Sequence, residues 1–185
     1  MAEEQVTPQQ FFEQLLPAGF TAQKESGSAV PQEFSMQYHV QGDGGGNWHV
    51  AIKDGAMTTK QGTDDAVLTF TLGVDDFLDA IHSRNGAAPS LLLPASRPGR
   101  PDNSGRAKML KGTISQELAR ESGDPFKLEM KFNGADTPCT VLKMKLADFV
   151  AMQEGKLNGQ EAFMTGRLRI EGDMAFMMQV AALTA

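Results

Sequence analysis

The chain has 185 residues, a formal net charge of −6 and a hydrophobic fraction of 41%. This length supports one domain with a sizeable core, so residues 1–185 are interpreted as a single domain. Cys139 is the one cysteine, which excludes an internal disulfide framework and a cysteine-based metal site.

Targeting signals give an expectation about location. The N-terminus is acidic and carries no basic segment followed by an apolar run, and no apolar run reaches the length of about eighteen residues needed for a membrane span. The last residues, Leu183–Ala185, lack the Ser-Lys-Leu peroxisomal address. We therefore expect a cytoplasmic protein.

Charge is unevenly distributed along the chain. Residues 1–80 hold three basic and twelve acidic side chains, whereas residues 81–185 hold fourteen and eleven. Two interpretations stay open for the basic segment 81–111: a solvated loop, or transient contact with an anionic membrane or an acidic partner protein. Nucleic-acid binding is not expected, because this segment lacks aromatic side chains for base stacking. The basic residues of the segment are Arg84, Arg97, Arg100, Arg106, Lys108 and Lys111.

The first predicted element is an amphipathic helix. Thr7 is a candidate N-cap, Pro8 suits the first helical position, and Gln10 completes a capping box. Phe11, Phe12, Leu15 and Leu16 then share one stripe. The helix is predicted to end near Pro17–Gly19.

Alternating apolar and polar residues predict the next strands. Residues 34–40 and 48–52 form a hairpin across the glycine-rich turn 42–46, and residues 68–72 form a strand that leads into a helix over Asp75–Ile81. Residues 83–104 are rich in Gly, Pro, Ser and Arg and predict a long loop with an apolar plug at Leu91–Leu93.

Three further strands are predicted at residues 113–118, 126–132 and 140–146. The segment Val67–Asp79 is similar to Val141–Ala151, with the second copy two residues shorter. Residues 83–147 are interpreted as an insertion or a partial duplication, and chance similarity of two strand–helix units stays open.

The C-terminal region predicts a short helix from Asp148, a glycine turn, one strand and a closing Met-rich helix from Asp173. Its sequence resembles the C-terminal signature of the sterol carrier protein 2 (SCP2-like) lipid-binding family. The residues that carry the resemblance are Gly155, Lys156, Leu157, Ala162, Phe163, Gly166, Leu168, Ile170, Gly172, Asp173 and Met174. A weaker resemblance covers the N-terminal helix and the strands from Phe34 to Ile81, while residues 83–147 depart from the pattern.

The resemblance implies a mixed sheet covered by helices around an apolar tunnel that takes sterols, fatty acids or acyl-CoA. The residues themselves predict an α+β fold with a largely antiparallel twisted sheet of five or more strands, helices mainly on one face, and an enclosed apolar cavity. We expect non-catalytic binding, and as a further option transfer, of a lipid with a long apolar portion: a fatty acid, acyl-CoA, sterol or isoprenoid. The alternative is an accessory or scaffolding subunit that presents a hydrophobic intermediate to a partner enzyme, for example in isoprenoid-quinone biosynthesis. A third possibility is a domain whose larger sheet fills the tunnel.

The predicted ligand-binding residues are apolar side chains of the helices and of the last strand. They are Phe77, Leu78, Ile81, Phe149, Met152, Phe163, Met164, Leu168, Ile170, Met174, Met177 and Met178.

No catalytic residue, metal or cofactor is expected. Asp64–Asp65 and Asp75–Asp76 are paired carboxylates at a turn and at a helix start, where solvated capping is their common role. His39 and His49 would face each other if Val40 paired with Trp48, but a third metal ligand is missing. The oligomeric state is left open.

Overall fold

The computed structural model describes residues 6–27, 30–93 and 102–184. The helices are α1 (Pro8–Gln10), a π-helical stretch (Phe11–Leu15), α2 (Leu16–Glu25), α3 (Val74–Ile81), a 3-10 turn (Pro89–Leu91), α4 (Ser104–Ala107), α5 (Leu146–Gln153), α6 (Gly159–Met164) and α7 (Met174–Thr184). The strands are β1 (Glu33–Gln41), β2 (Gly46–Lys53), β3 (Ala56–Gln61), β4 (Leu68–Gly73), β5 (Gly112–Ala119), β6 (Phe126–Phe132), β7 (Cys139–Lys145) and β8 (Arg169–Gly172).

These strands form one eight-stranded sheet in the order β3-β2-β1-β4-β6-β5-β7-β8. Within the described residues, β1–β4 and β5–β7 are parallel pairs and the other five pairings are antiparallel. The predicted α+β class and largely antiparallel sheet are therefore confirmed.

The N-terminal helix begins as predicted but does not end where predicted. The Thr7 hydroxyl accepts from the Gln10 backbone N–H, and the Gln10 side chain accepts from the Thr7 N–H. The predicted end near Pro17–Gly19 is wrong, because α2 continues to Glu25. A proline ring collides with the carbonyl four residues earlier in a regular α-helix. Here the Leu16 N–H donates to the Phe11 carbonyl, and this wider π-helical turn accommodates the proline that follows.

The sequence patterns missed four short elements, among them the 3-10 turn and α4 in or beside the predicted loop 83–104. Strand β3 lies at the sheet edge and is mostly polar and exposed, so it shows no apolar alternation. Helix α6 has six residues and depends on a local cap, in which the Asn158 side chain accepts from the backbone N–H groups of Gln160 and Glu161. The predicted plug is present, since Leu91 and Leu92 are buried.

One face of the sheet carries the core. Along β4 the buried residues Leu68, Phe70 and Leu72 alternate with half-buried ones, as period-two alternation requires. The N-terminal helix, α3, α5 and α7 all place apolar side chains against this face. The helices therefore lie mainly on one face, as predicted.

Three strands of the first half of the sheet (β1, β2 and β4) and three of the second half (β5, β6 and β7) share one arrangement. Tyr38 on β1 is opposite Trp48 on the antiparallel β2 and Phe70 on the parallel β4. Gln116 on β5 is likewise opposite Leu128 on the antiparallel β6 and Leu142 on the parallel β7. Helices α3 and α5 each begin directly after the parallel strand.

The strand pairing gives a different length comparison for the two strand–helix units from the one read from the sequence. When Tyr38 is matched with Gln116, the ladders match Leu68 with Thr140 and Val74 with Leu146. The two strand–helix units then have the same length, whereas the sequence comparison made the second two residues shorter.

A half-buried ion-pair network joins the halves. Arg120, just after β5, donates to Asp76 at 2.7 Å and to Asp79 at 2.8 Å, both on α3. Its guanidinium also lies 5.7 Å from the centre of the Phe126 ring. The end of one half is thus tied to the helix of the other.

Candidate functional site

A pocket of about 300 Å³ lies between the apolar face of the sheet and the helices that cover it. This volume is at the lower end of the range of about 300–1,000 Å³ usual for small-molecule sites. The walls come from α2, from strands of both halves, from the 3-10 turn and from α4, α5 and α7. Its large apolar lining residues include Phe20, Phe34, Phe70, Phe132, Phe149 and Val180.

Stacked aromatic rings hold the walls in place. Phe70 on β4 stacks on Tyr38, with ring centres 4.9 Å apart and an interplanar angle of 10°. Phe132 at the end of β6 meets Phe176 of α7 edge to face at 6.1 Å. Such pairs resist rearrangement because offset and edge-to-face contacts fix relative ring positions. The pocket is therefore built on a stiff framework.

An aromatic cluster fills the space beside the pocket. The Phe12 ring contacts those of Phe11, Tyr38, Trp48 and Phe77 at centre distances of 4.8–5.4 Å. The Tyr38 hydroxyl donates to the Leu92 carbonyl at 2.9 Å. Burial raises the pKa of Tyr38 well above its usual value, so the hydroxyl remains a proton donor at neutral pH. The cluster thereby anchors the 83–93 segment to β1.

The pocket is apolar, but two of its lining residues each carry a buried polar atom without a partner. Gln116 and Ser90 both line it, and neither the Gln116 Oε1 nor the Ser90 Oγ has a hydrogen-bond partner. The Gln116 Nε2 donates to the Met130 thioether sulfur at 3.2 Å, which is a weak acceptor. At another part of the wall the Asn103 side chain donates to the Leu183 carbonyl at 2.9 Å and links α4 to α7. None of the described lining residues is Lys, Arg or His.

The structure places the twelve sequence-predicted residues in different environments. Phe149 lines the pocket. Phe77 is fully buried in the aromatic cluster and Leu168 is buried elsewhere in the core. The half-buried residues are Leu78, Ile81, Met152, Ile170 and Met177. The exposed ones are Phe163, Met164, Met174 and Met178, with exposed fractions of 42–77%.

Helix α7 contributes to the pocket through a different set of residues from those chosen in the sequence. Phe176 and Val180 are its buried residues, and Val180 and Leu183 line the pocket. The lining methionines come from the strands instead: Met36, Met57 and Met130. The alternating strand pattern carried this signal, since Met36 and Met130 occupy inward-facing positions of predicted strands.

The described residues do not assemble a metal site. Trp48 pairs with Tyr38, so His39 faces Asn47 rather than His49. The His39 Nδ1 lies 2.6 Å from the Asn47 Oδ1, and the His49 Nε2 lies 3.2 Å from the Asp65 carbonyl. Among the residues that the structure describes, no cluster of three or more His, Cys, Asp or Glu side chains could hold a metal ion.

The basic segment is described only in part. Arg97 and Arg100 lie outside the described residues. The Arg84 Nε lies 3.9 Å from the Asp79 carboxylate, and Arg106 is exposed on α4. Within the described ranges, no helix is both long enough and apolar enough to cross a bilayer.

Residues 95–185 match the family model of the SCP-2 sterol transfer family. The C-terminal part of the chain is thus similar to this family. The resemblance predicted from the signature after Asp148 is thereby confirmed. The SCP-2 match also includes residues 95–147, which the sequence analysis assigned to an insertion or partial duplication.

Curated relatives match a shorter stretch. Over 75 residues the chain is 36% identical to the hydroxysteroid dehydrogenase-like protein 2 of Bos taurus and to that of Homo sapiens. The aligned stretch covers 36% of this chain and 18% of each relative. The chain thus spans less than a fifth of the length of these relatives.

Two solved structures of SCP-2 proteins are also similar. The sterol carrier protein domain 2 of Helicoverpa armigera is 23% identical with a TM-score of 0.37, covering 44% of this chain and 72% of that one. Sterol carrier protein 2 from Yarrowia lipolytica, in its apo form, is 16% identical with a TM-score of 0.31, covering 98% of each chain. These scores are too low to add weight to the assignment. The SCP-2 family match itself supports lipid binding or transfer as the general class of function.

Proposed function

We propose that this protein binds a lipid with a long apolar portion, non-covalently, in the pocket between the sheet and its helices. The observation that carries the proposal is the pocket itself: about 300 Å³, with walls of Phe, Leu, Ile, Met and Val side chains from both halves of the sheet. Each methylene group that moves from water into such a lining gains about 0.8 kcal/mol. A lipid chain is the ligand with the most methylene groups to bury.

Two features of the lining suit a carrier. The stacked rings of Phe70 and Tyr38 keep one wall preformed, which lowers the ordering cost of binding. Met36, Met57 and Met130 supply flexible, polarizable side chains that adapt to a chain of variable shape. The same pocket can then accept and release different guests.

We propose a non-catalytic role. The described lining residues include no histidine, cysteine, lysine or arginine, so they offer no nucleophile paired with a base. The carboxylate of Asp102 is in the lining, but it is exposed and accepts from the Ser104 backbone N–H. Binding without chemistry is the function that this lining supports best.

An accessory subunit that presents a hydrophobic intermediate to a partner is the second candidate. It is favoured by the exposed apolar side chains of Phe163 and Met164 on α6 and of Met174 and Met178 on α7. Exposed apolar surface of this kind is typical of protein contacts. On this view the pocket would fill only when the partner is bound.

The test is native mass spectrometry of the purified chain before and after solvent extraction, followed by titration with a fluorescent long-chain lipid. We expect saturable binding by the isolated protein. A pocket-filling variant, Ala107→Leu, should weaken binding about tenfold, because Ala107 is buried in the lining. The matched control on the same helix is Gly105→Leu, where an added Cβ meets open space.

The outcomes separate the two candidates. No saturable uptake by the isolated chain would contradict the carrier proposal. Lipid that appears only in a complex with a partner would favour the accessory subunit.

A further inference from the structure

The Gln116 Oε1 and the Ser90 Oγ are the features of the pocket that a purely apolar guest does not explain. Both atoms are buried, both lack a hydrogen-bond partner, and both residues belong to the lining of the same pocket. Buried polar side-chain atoms in folded proteins nearly always have a partner, and an exception calls for a missing water or ligand group.

The orientation of the Gln116 amide does not remove the problem. Its Nε2 has only the Met130 sulfur as acceptor, so either orientation leaves one strong polar atom without an adequate partner. The matching position in the other half shows the contrast, because the Tyr38 hydroxyl there is satisfied by the Leu92 carbonyl. Gln116, a residue of the lining, therefore has unused hydrogen-bonding capacity.

The charge of the pocket decides the kind of group that fits. The described lining contains no cation, and its one ionisable side chain, Asp102, is acidic. An anionic carboxylate or phosphate would be desolvated here without a counter-charge, which is costly. A hydroxyl is neutral, donates one hydrogen bond and accepts others, so it can donate to the Gln116 Oε1 and accept from the Ser90 Oγ.

We propose that Gln116 and Ser90 form a polar subsite that binds the hydroxyl group of a neutral lipid and selects it against the corresponding acid. This inference rests on the proposed function, since the subsite lies in the lipid pocket. The apolar lining supplies most of the affinity, and the subsite supplies the preference for the headgroup. A site that hydrogen-bonds a hydroxyl rejects an analogue without it, because its own polar groups are then left unpaired.

The test uses three probes with the same chain: hexadecan-1-ol, its methyl ether, and hexadecanoic acid at pH 8. Displacement of a bound polarity-sensitive fluorophore reports their affinities. We expect the wild type to bind the alcohol about tenfold more tightly than the ether, in proportion to one hydrogen bond. The acid should bind more weakly than the alcohol.

Three variants assign the preference to its residues. Gln116→Leu should remove the preference for the alcohol while it keeps the affinity for the ether and the thermal stability of the fold. Ser90→Ala should reduce the preference in part. Gln160→Leu is the control, because Gln160 is an exposed glutamine on α6 outside the pocket lining and its replacement should leave the preference intact.

The outcomes distinguish the inference from the proposed function. If the wild type binds none of the probes, the pocket is not a lipid site and both proposals fail. If it binds ether and alcohol equally, prefers the acid, or keeps its preference in Gln116→Leu, the subsite is overturned while lipid binding stands.

Discussion

The two halves of the sheet have the same strand pairing but carry different side chains at the matched positions. In the first half Tyr38, Trp48 and Phe70 occupy matched positions, and their rings pack into the aromatic cluster around Phe12. The corresponding positions of the second half are Gln116, Leu128 and Leu142. Three large rings on one side are thus replaced by an amide and two leucines on the other. Both halves contribute to the pocket wall, with Phe70 from the first and Gln116 from the second.

The helices that follow the two parallel strands, α3 and α5, also differ in how their phenylalanines pack. Phe77 on α3 and Phe149 on α5 occupy matched positions, three residues after the start of each helix. The rings of Phe11 and Phe12 each lie 5.4 Å from that of Phe77, whereas Phe149 forms part of the pocket wall. A shared topology therefore fixes where a helix lies, and the packing partners decide whether its face is filled or open.

A glycine in the second half makes room for the last helix. Gly112 matches Phe34 of the first half, and a Cβ at Gly112 would lie 2.7 Å from the Phe176 ring and 2.6 Å from the Pro138 carbonyl oxygen. Helix α7 can therefore approach the sheet where the first half has a phenylalanine. This contact places Val180 and Leu183 in the pocket wall.

The largest expected effect comes from breaking the aromatic cluster around Phe12. Phe12→Ala should lower the free energy of unfolding by about 3–5 kcal/mol, because it empties the centre of a cluster in which Phe12 is fully buried. Chemical denaturation of wild type and variant measures this loss. Leu15→Ala on the same helix is the control, with a loss within about 0.5 kcal/mol expected because Leu15 is 49% exposed. A loss below about 1 kcal/mol for Phe12→Ala would show that the cluster does not support the fold.

The matched phenylalanines give the sharpest comparison of the halves. Phe77→Ala should cost about 3–5 kcal/mol, and Phe149→Ala should cost about 1–2 kcal/mol less, because one side of Phe149 already faces the pocket and lacks packing partners. Phe149→Ala should also change the affinity for long-chain lipid, while the folded fraction of Phe77→Ala should bind lipid as the wild type does. Equal stability losses and unchanged lipid binding in both variants would contradict the different environments assigned to Phe77 and Phe149.

The strands and the family could be predicted from the sequence, whereas most of the site could not. Period-two alternation is a local signal, so the core strands such as β4 and β6 were predicted within a few residues. The pocket is a tertiary property, because Phe20, Phe34 and Phe132 meet from elements far apart in the chain. Helix α7 illustrates the limit. Nearly its whole surface is apolar, so periodicity could not show that Val180, and not Met178, faces the core.

The smallest expected effect concerns the ion-pair network that joins the halves. Burial is the largest influence on Asp76 and raises the pKa of its carboxyl, the neighbouring Asp79 charge acts in the same direction, and hydrogen bonds from the Lys127 N–H and Arg120 oppose it. A carboxyl whose folded-state pKa lies above its ordinary value of 3.8 binds protons more tightly in the folded chain than in the unfolded one. Its contribution to stability is therefore fully present below pH 3.8 and is lost as the pH rises through the raised pKa.

Asp76→Asn removes this proton-linked contribution and tests its sign. We expect the wild type to gain stability relative to Asp76→Asn as the pH falls from 7 towards 4, in denaturation curves measured at fixed ionic strength. Asp75→Asn removes an exposed carboxylate from the same helical turn and supplies the baseline for loss of a charge there. If the wild type instead loses stability relative to Asp76→Asn on acidification, the ion pair with Arg120 outweighs burial. The contact between the halves would then depend on charge pairing more than on the apolar surroundings of Asp76.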